Sequence, residues 1–110
     1  MAYDERLAER VREIVAEATD GDFAEKKMFG GLAFLVGGHM AVAASREGGL
    51  MLRVEPAQTD ALLTKPFAGP FRMRGRPVDG WLRVEAAGLG TRAQLTRWVI
   101  RGLDYARALD

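Results

Sequence analysis

Apolar residues recurring at a period of two, set between stretches of helical period, predict an α+β class: a two-layer domain in which helices pack on an antiparallel sheet. Three observations carry this. Residues 32–54 contain three short twofold-periodic runs whose connections are too short for anything but antiparallel reversal. Residues 71–86 contain two more. Amphipathic helical patterns stand at both ends of the chain. The predicted order is helix, three strands, helix, two strands, helix, in a single domain over residues 1–110.

The first helix is expected over Asp4 to Thr19, where Leu7, Val11, Ile14, Val15 and Ala18 fall on one stripe and Glu5, Glu9, Glu13 and Glu17 lie off it. Asp4 suits a cap, and Asp20-Gly21 a stop. From Lys27 the period changes: Leu32, Phe34 and Val36 alternate with Gly31, Ala33 and Leu35, Gly37-Gly38 suits a tight hairpin, and Met40, Val42 and Ala44 resume the alternation. Arg46-Glu47-Gly48-Gly49 is a second turn, before Leu50, Leu52 and Val54. Pro56 closes that strand and Ala57 to Thr64 reads as a short helix, ended by Lys65-Pro66. Phe67 to Pro70 is an irregular link.

Phe71 to Arg76 and Trp81 to Ala86 are the last two strands, with Pro77-Val78-Asp79-Gly80 as the reversal between them. On this reading Arg72, Arg74 and Arg76 share one strand face, continued by Arg83 on the neighbouring strand. After Gly88-Leu89-Gly90, Thr91-Arg92-Ala93-Gln94 matches a capping box, and Leu95, Trp98, Val99, Gly102, Leu103 and Ala106 carry the final helix to about Ala108.

A composition of 48% hydrophobic and 28% charged residues excludes a disordered or fibrous chain, and 110 residues suffice for one core without staples. With no cysteine, neither disulfides nor thiolate zinc sites contribute. The longest run free of charge, Met28 to Ser45, is too rich in glycine for a membrane span, and the charged amino terminus does not read as a signal peptide. The expectation is a soluble, cytoplasmic protein with no membrane contact. Its net charge of +1 hides an asymmetry. Residues 1–65 carry eight basic and eleven acidic side chains, residues 66–110 eight arginines and four acids.

Chemistry-bearing residues are sparse. His39 is the sole histidine and Ser45 the sole serine, each at a strand end beside a turn, and no Gly-x-Ser-x-Gly turn accompanies the serine. Asp20, Asp22 and Glu25 lack the ligand pattern of a calcium loop. Gly30-Gly31 and Gly37-Gly38 precede strand patterns, whereas phosphate-binding glycines precede helices. No catalytic, cofactor-binding or metal-binding residue is expected.

Two features remain. The arginine row Arg72, Arg74, Arg76 and Arg83, with guanidinium groups about 7 Å apart along one face, suits phosphates or carboxylates, and equally suits a strand face kept soluble and guarded against edge pairing. Phe23, Met28, Phe29, Phe67, Phe71, Trp81 and Trp98 are more large apolar groups than one sheet face needs, and a leftover patch favours self-association.

The segments Lys27-Met28-Phe29-Gly30-Gly31-Leu32-Ala33-Phe34, Gly38-His39-Met40, Leu50-Met51-Leu52-Arg53 and Gly75-Arg76-Pro77-Val78-Asp79-Gly80-Trp81-Leu82-Arg83-Val84 resemble the amino-terminal domain of the TfoX/Sxy family, over almost the whole chain. The resemblance implies a secretion-chaperone-like two-layer domain. In the family's best-known members that domain precedes a helical carboxy-terminal domain, and the whole protein is a positive regulator of natural competence genes, working with a cyclic-AMP-dependent activator. A chain ending at Asp110 looks like a stand-alone amino-terminal domain. No catalytic residues carry over from the family. Gly30 and Gly31 are expected to let the chain bend into its first strand, with Met28 and Phe29 ahead of them. Pro77 is expected to lock a turn that lays Arg76 on Trp81, a stack worth ~1 kcal/mol.

The leading expectation is a non-enzymatic adaptor or regulator acting through protein–protein contacts with an unidentified partner, and forming a homodimer. The rival is a weak nucleic-acid-binding module using Arg72, Arg74 and Arg76 with Arg97 and Arg101, whose binding falls steeply with salt. A small enzyme would need a pocket joining His39 to carboxylates or arginines.

Overall fold

The carboxylate of Asp4 accepts hydrogen bonds from the backbone N–H groups of Arg6 and Leu7 at 3.0 and 3.1 Å, opening helix α1, Glu5–Thr19. These and the following distances come from a computed structural model that describes residues 3–28 and 30–109. Asp20 ends the helix in the left-handed conformation, φ 53°. Leu7, Ala8, Val11, Ile14 and Val15 form its buried stripe, close to the one the periodicity predicts.

Between this helix and the first expected strand the structure adds another, β1, Ala24–Met28. Its sequence, Ala-Glu-Lys-Lys-Met, has almost no apolar alternation because it is a sheet edge, exposed along most of its length. It pairs antiparallel with β2, Gly31–Val36, bringing Met28 opposite Gly31, with Gly30 between them at φ +78°. Gly30 therefore belongs to a hairpin connection rather than to a bend entering an isolated strand. Phe29 lies outside the described residues.

The Gly37-Gly38 turn leads to β3, His39–Ala44, and the Ser45 to Gly49 turn to β4, Leu50–Arg53. Strand β3 does not alternate strictly. Phe34 pairs with Val42 but Leu35 pairs with Met40, so Ala41 is the extra residue of a bulge, and Met40 points to the opposite sheet face from Val42 and Ala44.

The predicted short helix is a 3-10 turn, Pro56–Gln58, running into α2, Thr59–Leu63. Strand β5 covers Ala68–Met73, so it includes most of the segment read as an irregular link, and β6 covers Arg76–Val84. The expected reversal at Pro77 to Gly80 is corrected by the register: Met73 pairs with Arg76, and the turn is Arg74-Gly75 with φ +53° and +80°. Asp79-Gly80 still breaks regular geometry, but inside the strand. Pro70 pairs with Leu82 and Arg72 with Pro77, so β6 bulges between them. Gly80 sits in this bulge at φ +86°, which a side chain would strain. Its N–H donates to the buried hydroxyl of Thr59 at 2.8 Å and its carbonyl accepts from Val54 N–H at 2.8 Å, so the freed backbone groups are satisfied.

All pairings are antiparallel, in the order β1-β2-β3-β4-β6-β5. After a 3-10 turn at Ala86–Leu89, the Thr91/Gln94 capping box forms as predicted and starts α3, Arg92–Ala108. The two-layer α+β class therefore stands, with a sixth strand added.

Helices α1 and α3 pack on each other and on the central strands. Their stripes meet Leu32, Phe34, Val42, Leu50, Leu52, Leu82 and Val84 in one core. Gly102 marks a close approach of α3 to the sheet: a Cβ there would lie 2.5 Å from the carbonyl oxygen of Ala41, at the bulge. Arg12 ties the layers at the sheet edge. Its guanidinium donates to the Glu25 carboxylate on β1 at 2.9 Å (Nη2 to Oε1) and lies 6.0 Å from the Phe34 ring centre. That hydrogen bond holds the Glu25 pKa below the usual glutamate value and raises that of Arg12.

Candidate interaction face

Helices cover only one side of the sheet. On the other, the strands present Ala33 and Leu35 from β2, Met40 and Ala43 from β3, Met51 from β4, with Met28, Phe71 and Trp81 packed against them. Among the described residues no helix lies over this second apolar cluster. Ala33 is 0% exposed and Ala43 3% because the longer side chains around them fold inward. Met73, at the end of β5, remains 51% exposed. Of the five methionines in the sequence, Met28, Met40, Met51 and Met73 border this face, and Met1 lies outside the described residues.

The face is concave. Met28 on β1 and Phe71 and Met73 on β5 line a single groove of about 450 Å³, with Gly31, Ala43 and Met51 between them. Strands β1 and β5 are the opposite edges of the sheet, ~24 Å apart if it were flat. Their sharing a groove means that the sheet curls, and the bulges in β3 and β6 lie where it must bend.

Charge surrounds this groove asymmetrically. Arg46, Arg72 and Arg74 line it, and Lys26, opposite Ala33, lies on the same face. Glu47 is the one carboxylate in the lining, and Arg83 holds it at 3.1 Å. Arg53 stacks on Trp81 and on Tyr105 of α3, its guanidinium carbon 5.5 Å from each ring centre.

The arginines singled out by sequence do not form one row. Arg74 is in the hairpin turn, and Arg72 and Arg76 are on different strands, since the reversal falls three residues earlier than predicted. Arg83 is engaged with Glu47. Arg76, expected over Trp81, is exposed beside the turn, and Arg53 takes that place, because Arg53 and Trp81 are direct cross-strand partners. Pro77 is within β6, on a sheet edge pairing, and does not form the turn. Arg97 and Arg101 line a different depression with Lys65, Phe67 and Trp98, where Arg101 stacks at 4.7 Å on the Trp98 ring.

The sparse polar groups have local duties. The Ser45 hydroxyl accepts from Glu47 N–H at 3.3 Å within its turn, Glu25 pairs with Arg12, and His39 begins β3 opposite Val36. Among the described residues no three His, Cys, Asp or Glu side chains gather to hold a metal ion, and no helix is long and apolar enough to cross a membrane.

The leftover apolar set expected from sequence holds Met28, Phe71 and Trp81 of this face but not Met40, Met51 and Met73. The signal was present: Leu50-Met51-Leu52 is a continuous apolar run, where a strand with one wet face would alternate.

Fold and site together define a two-layer α+β domain with a single helical layer and an open, methionine-lined sheet face. The model of the TfoX N-terminal domain matches residues 13–106, and the chain belongs to that family. No curated protein and no solved structure matches it significantly.

Proposed function

We propose that this chain is a non-catalytic, competence-regulator-like adaptor that works through protein–protein contacts made by the uncovered face of its sheet. The observation that carries the reading is the second apolar cluster, Ala33, Met40, Ala43 and Met51 with Leu35, Phe71 and Trp81, standing without a helix above it. An apolar cluster roofed by side chains alone, with Met73 half exposed at its rim, suits a partner site, and methionine-rich surfaces adapt to what they bind. Family membership supports a regulatory role. The separation of Arg72 and Arg74 from Arg97 and Arg101 into different depressions weakens the nucleic-acid alternative.

The test is affinity capture from native lysate with the wild-type chain and with Met73→Asp, a substitution at a half-exposed side chain that leaves the core intact. A protein retained by the wild type and lost by the variant supports the adaptor reading. Tight, salt-sensitive binding of DNA or RNA that survives Met73→Asp replaces it with the nucleic-acid reading.

A further inference from the structure

We infer that the groove across the open sheet face receives an amphipathic helix of a partner protein, one whose apolar stripe meets the methionines and whose flanks are acidic. The inference rests on the adaptor reading above and names the chemistry of the partner. Three observations carry it.

First, the groove walls are built to adapt. Buried Met51 and half-exposed Met73 line the groove together with the small residues Gly31 and Ala43, so apolar knobs can enter as the flexible thioether chains move aside. Second, the charge is one-sided. Arg46, Arg72 and Arg74 line the groove, and none of them is in an ion pair among the described residues, while Glu47, the one acid in the lining, is held by Arg83. A basic ligand would meet uncompensated repulsion there; carboxylates flanking an apolar stripe would find guanidinium partners. Third, the edges discourage strand addition. Edge strand β5 carries Pro70, and edge strand β1 carries Glu25, Lys26 and Lys27, both devices that blunt pairing with another chain. A helix laid in the groove remains the mode that uses the apolar lining.

The probes are three short synthetic peptides: one with leucines at helical spacing and glutamates on the remaining face, the same peptide with lysines for glutamates, and the glutamate peptide with serines for leucines. Calorimetry measures affinity and, in a Trp98→Phe background that leaves Trp81 as the one tryptophan, emission reports occupation of the face. The leucine–glutamate peptide is expected to bind at least about tenfold more tightly than either control, and the double substitution Arg46→Glu with Arg74→Glu to weaken it by about tenfold. Met73→Ser, at a half-exposed side chain, should weaken it without lowering thermal stability. Equal binding of the lysine peptide or of the serine peptide overturns the inference, as does unchanged affinity in a folded arginine or Met73 variant. Sedimentation of the free chain as a dimer that Met73→Ser dissociates also overturns it, since a second copy then fills the groove. If all three peptides fail while lysate capture still depends on Met73, the helix assignment falls and the adaptor reading stands; if both fail, both fall.

Discussion

Leu52 and Met51 leave the same strand, β4, in opposite directions and meet different surroundings. Leu52 enters the core beneath α1 and α3, where it is fully buried and Gly102 allows α3 to approach the bulged backbone of β3. Met51 enters a cluster with no second layer, roofed by other side chains and bordered by arginines. One face is sealed by rigid secondary structure and the other only by flexible side chains. Among the described residues the helices cover one face of the six-stranded sheet, and what distinguishes the faces is the residue type chosen: branched aliphatics and Phe34 where packing is fixed, methionines where it must give.

The largest expected effect separates the faces directly. Leu52→Ala should destabilise by about 2–5 kcal/mol, because the rigid layers cannot close on the cavity, whereas Met51→Ala should cost about half as much or less, because neighbouring methionines and Trp81 can settle into the space. Urea denaturation of both variants checks this. Equal losses would mean that the open face is packed as rigidly as the covered one, and the comparison would break.

Next in size is the bulge that bends β6. Thr59→Val keeps the shape of a buried side chain but leaves the Gly80 N–H without its acceptor, and should cost about 1–3 kcal/mol; Thr59→Ser, which retains the hydroxyl, should recover most of it. Because the bulge contributes to the curl, Thr59→Val should also raise amide exchange in β5 and β6 more than in β2 and β3. Uniform exchange across all strands would separate the bulge from the curvature.

How far the sequence revealed these features depends on whether neighbouring residues or distant ones decided them. Helices α1 and α3 follow from Asp4, the Thr91/Gln94 box and the apolar stripes, all within a few residues of where they act. Strand β1 is hidden because an edge strand whose apolar residues, Ala24 and Met28, stand only at its two ends carries no alternation, and its existence rests on pairing with β2. The β5–β6 turn was misplaced because Pro77 and Asp79-Gly80 are strong turn residues, while Arg74 adopts positive φ only in the company of Gly75. By sequence Gly80 is a turn residue, and its positive φ is real but lies inside β6. The long-range partner Thr59 makes it a bulge instead. The open face was partly legible in the surplus of aromatics, but which large side chains share a face was not, since the bulge at Ala41 reverses Met40 relative to Val42.

A smaller effect probes the border between the faces. Arg53, between Trp81 and Tyr105, links the open face to α3, and Arg53→Ala should lower stability by about 0.5–2 kcal/mol. Arg76→Ala, exposed beside the turn, should leave the melting temperature nearly unchanged. A fall in Arg76→Ala equal to that in Arg53→Ala would restore the stack expected from sequence.

The smallest effect belongs to the covered face alone and depends on pH. Arg12 lowers the Glu25 pKa, so the folded chain binds the Glu25 proton more weakly than the unfolded chain does. The pair therefore contributes its full stabilisation above the unfolded glutamate pKa and loses it as pH falls through the lower, folded value. Both side chains are partly in water, 40% and 29% exposed, which limits the contribution to less than about 1 kcal/mol and makes it sensitive to salt. In Glu25→Gln this part of the acid dependence should vanish, and denaturant midpoints measured from neutral to acidic pH should converge with those of the wild type at the acid end. Arg12 reaches Glu25 from the helical layer, so loss of the pair should loosen α1 against β1 and leave the Trp81 emission of the open face unaltered. A simultaneous change in Trp81 would show that the two faces are mechanically coupled through the sheet, and that a partner held in the groove is felt by the helices on the other side.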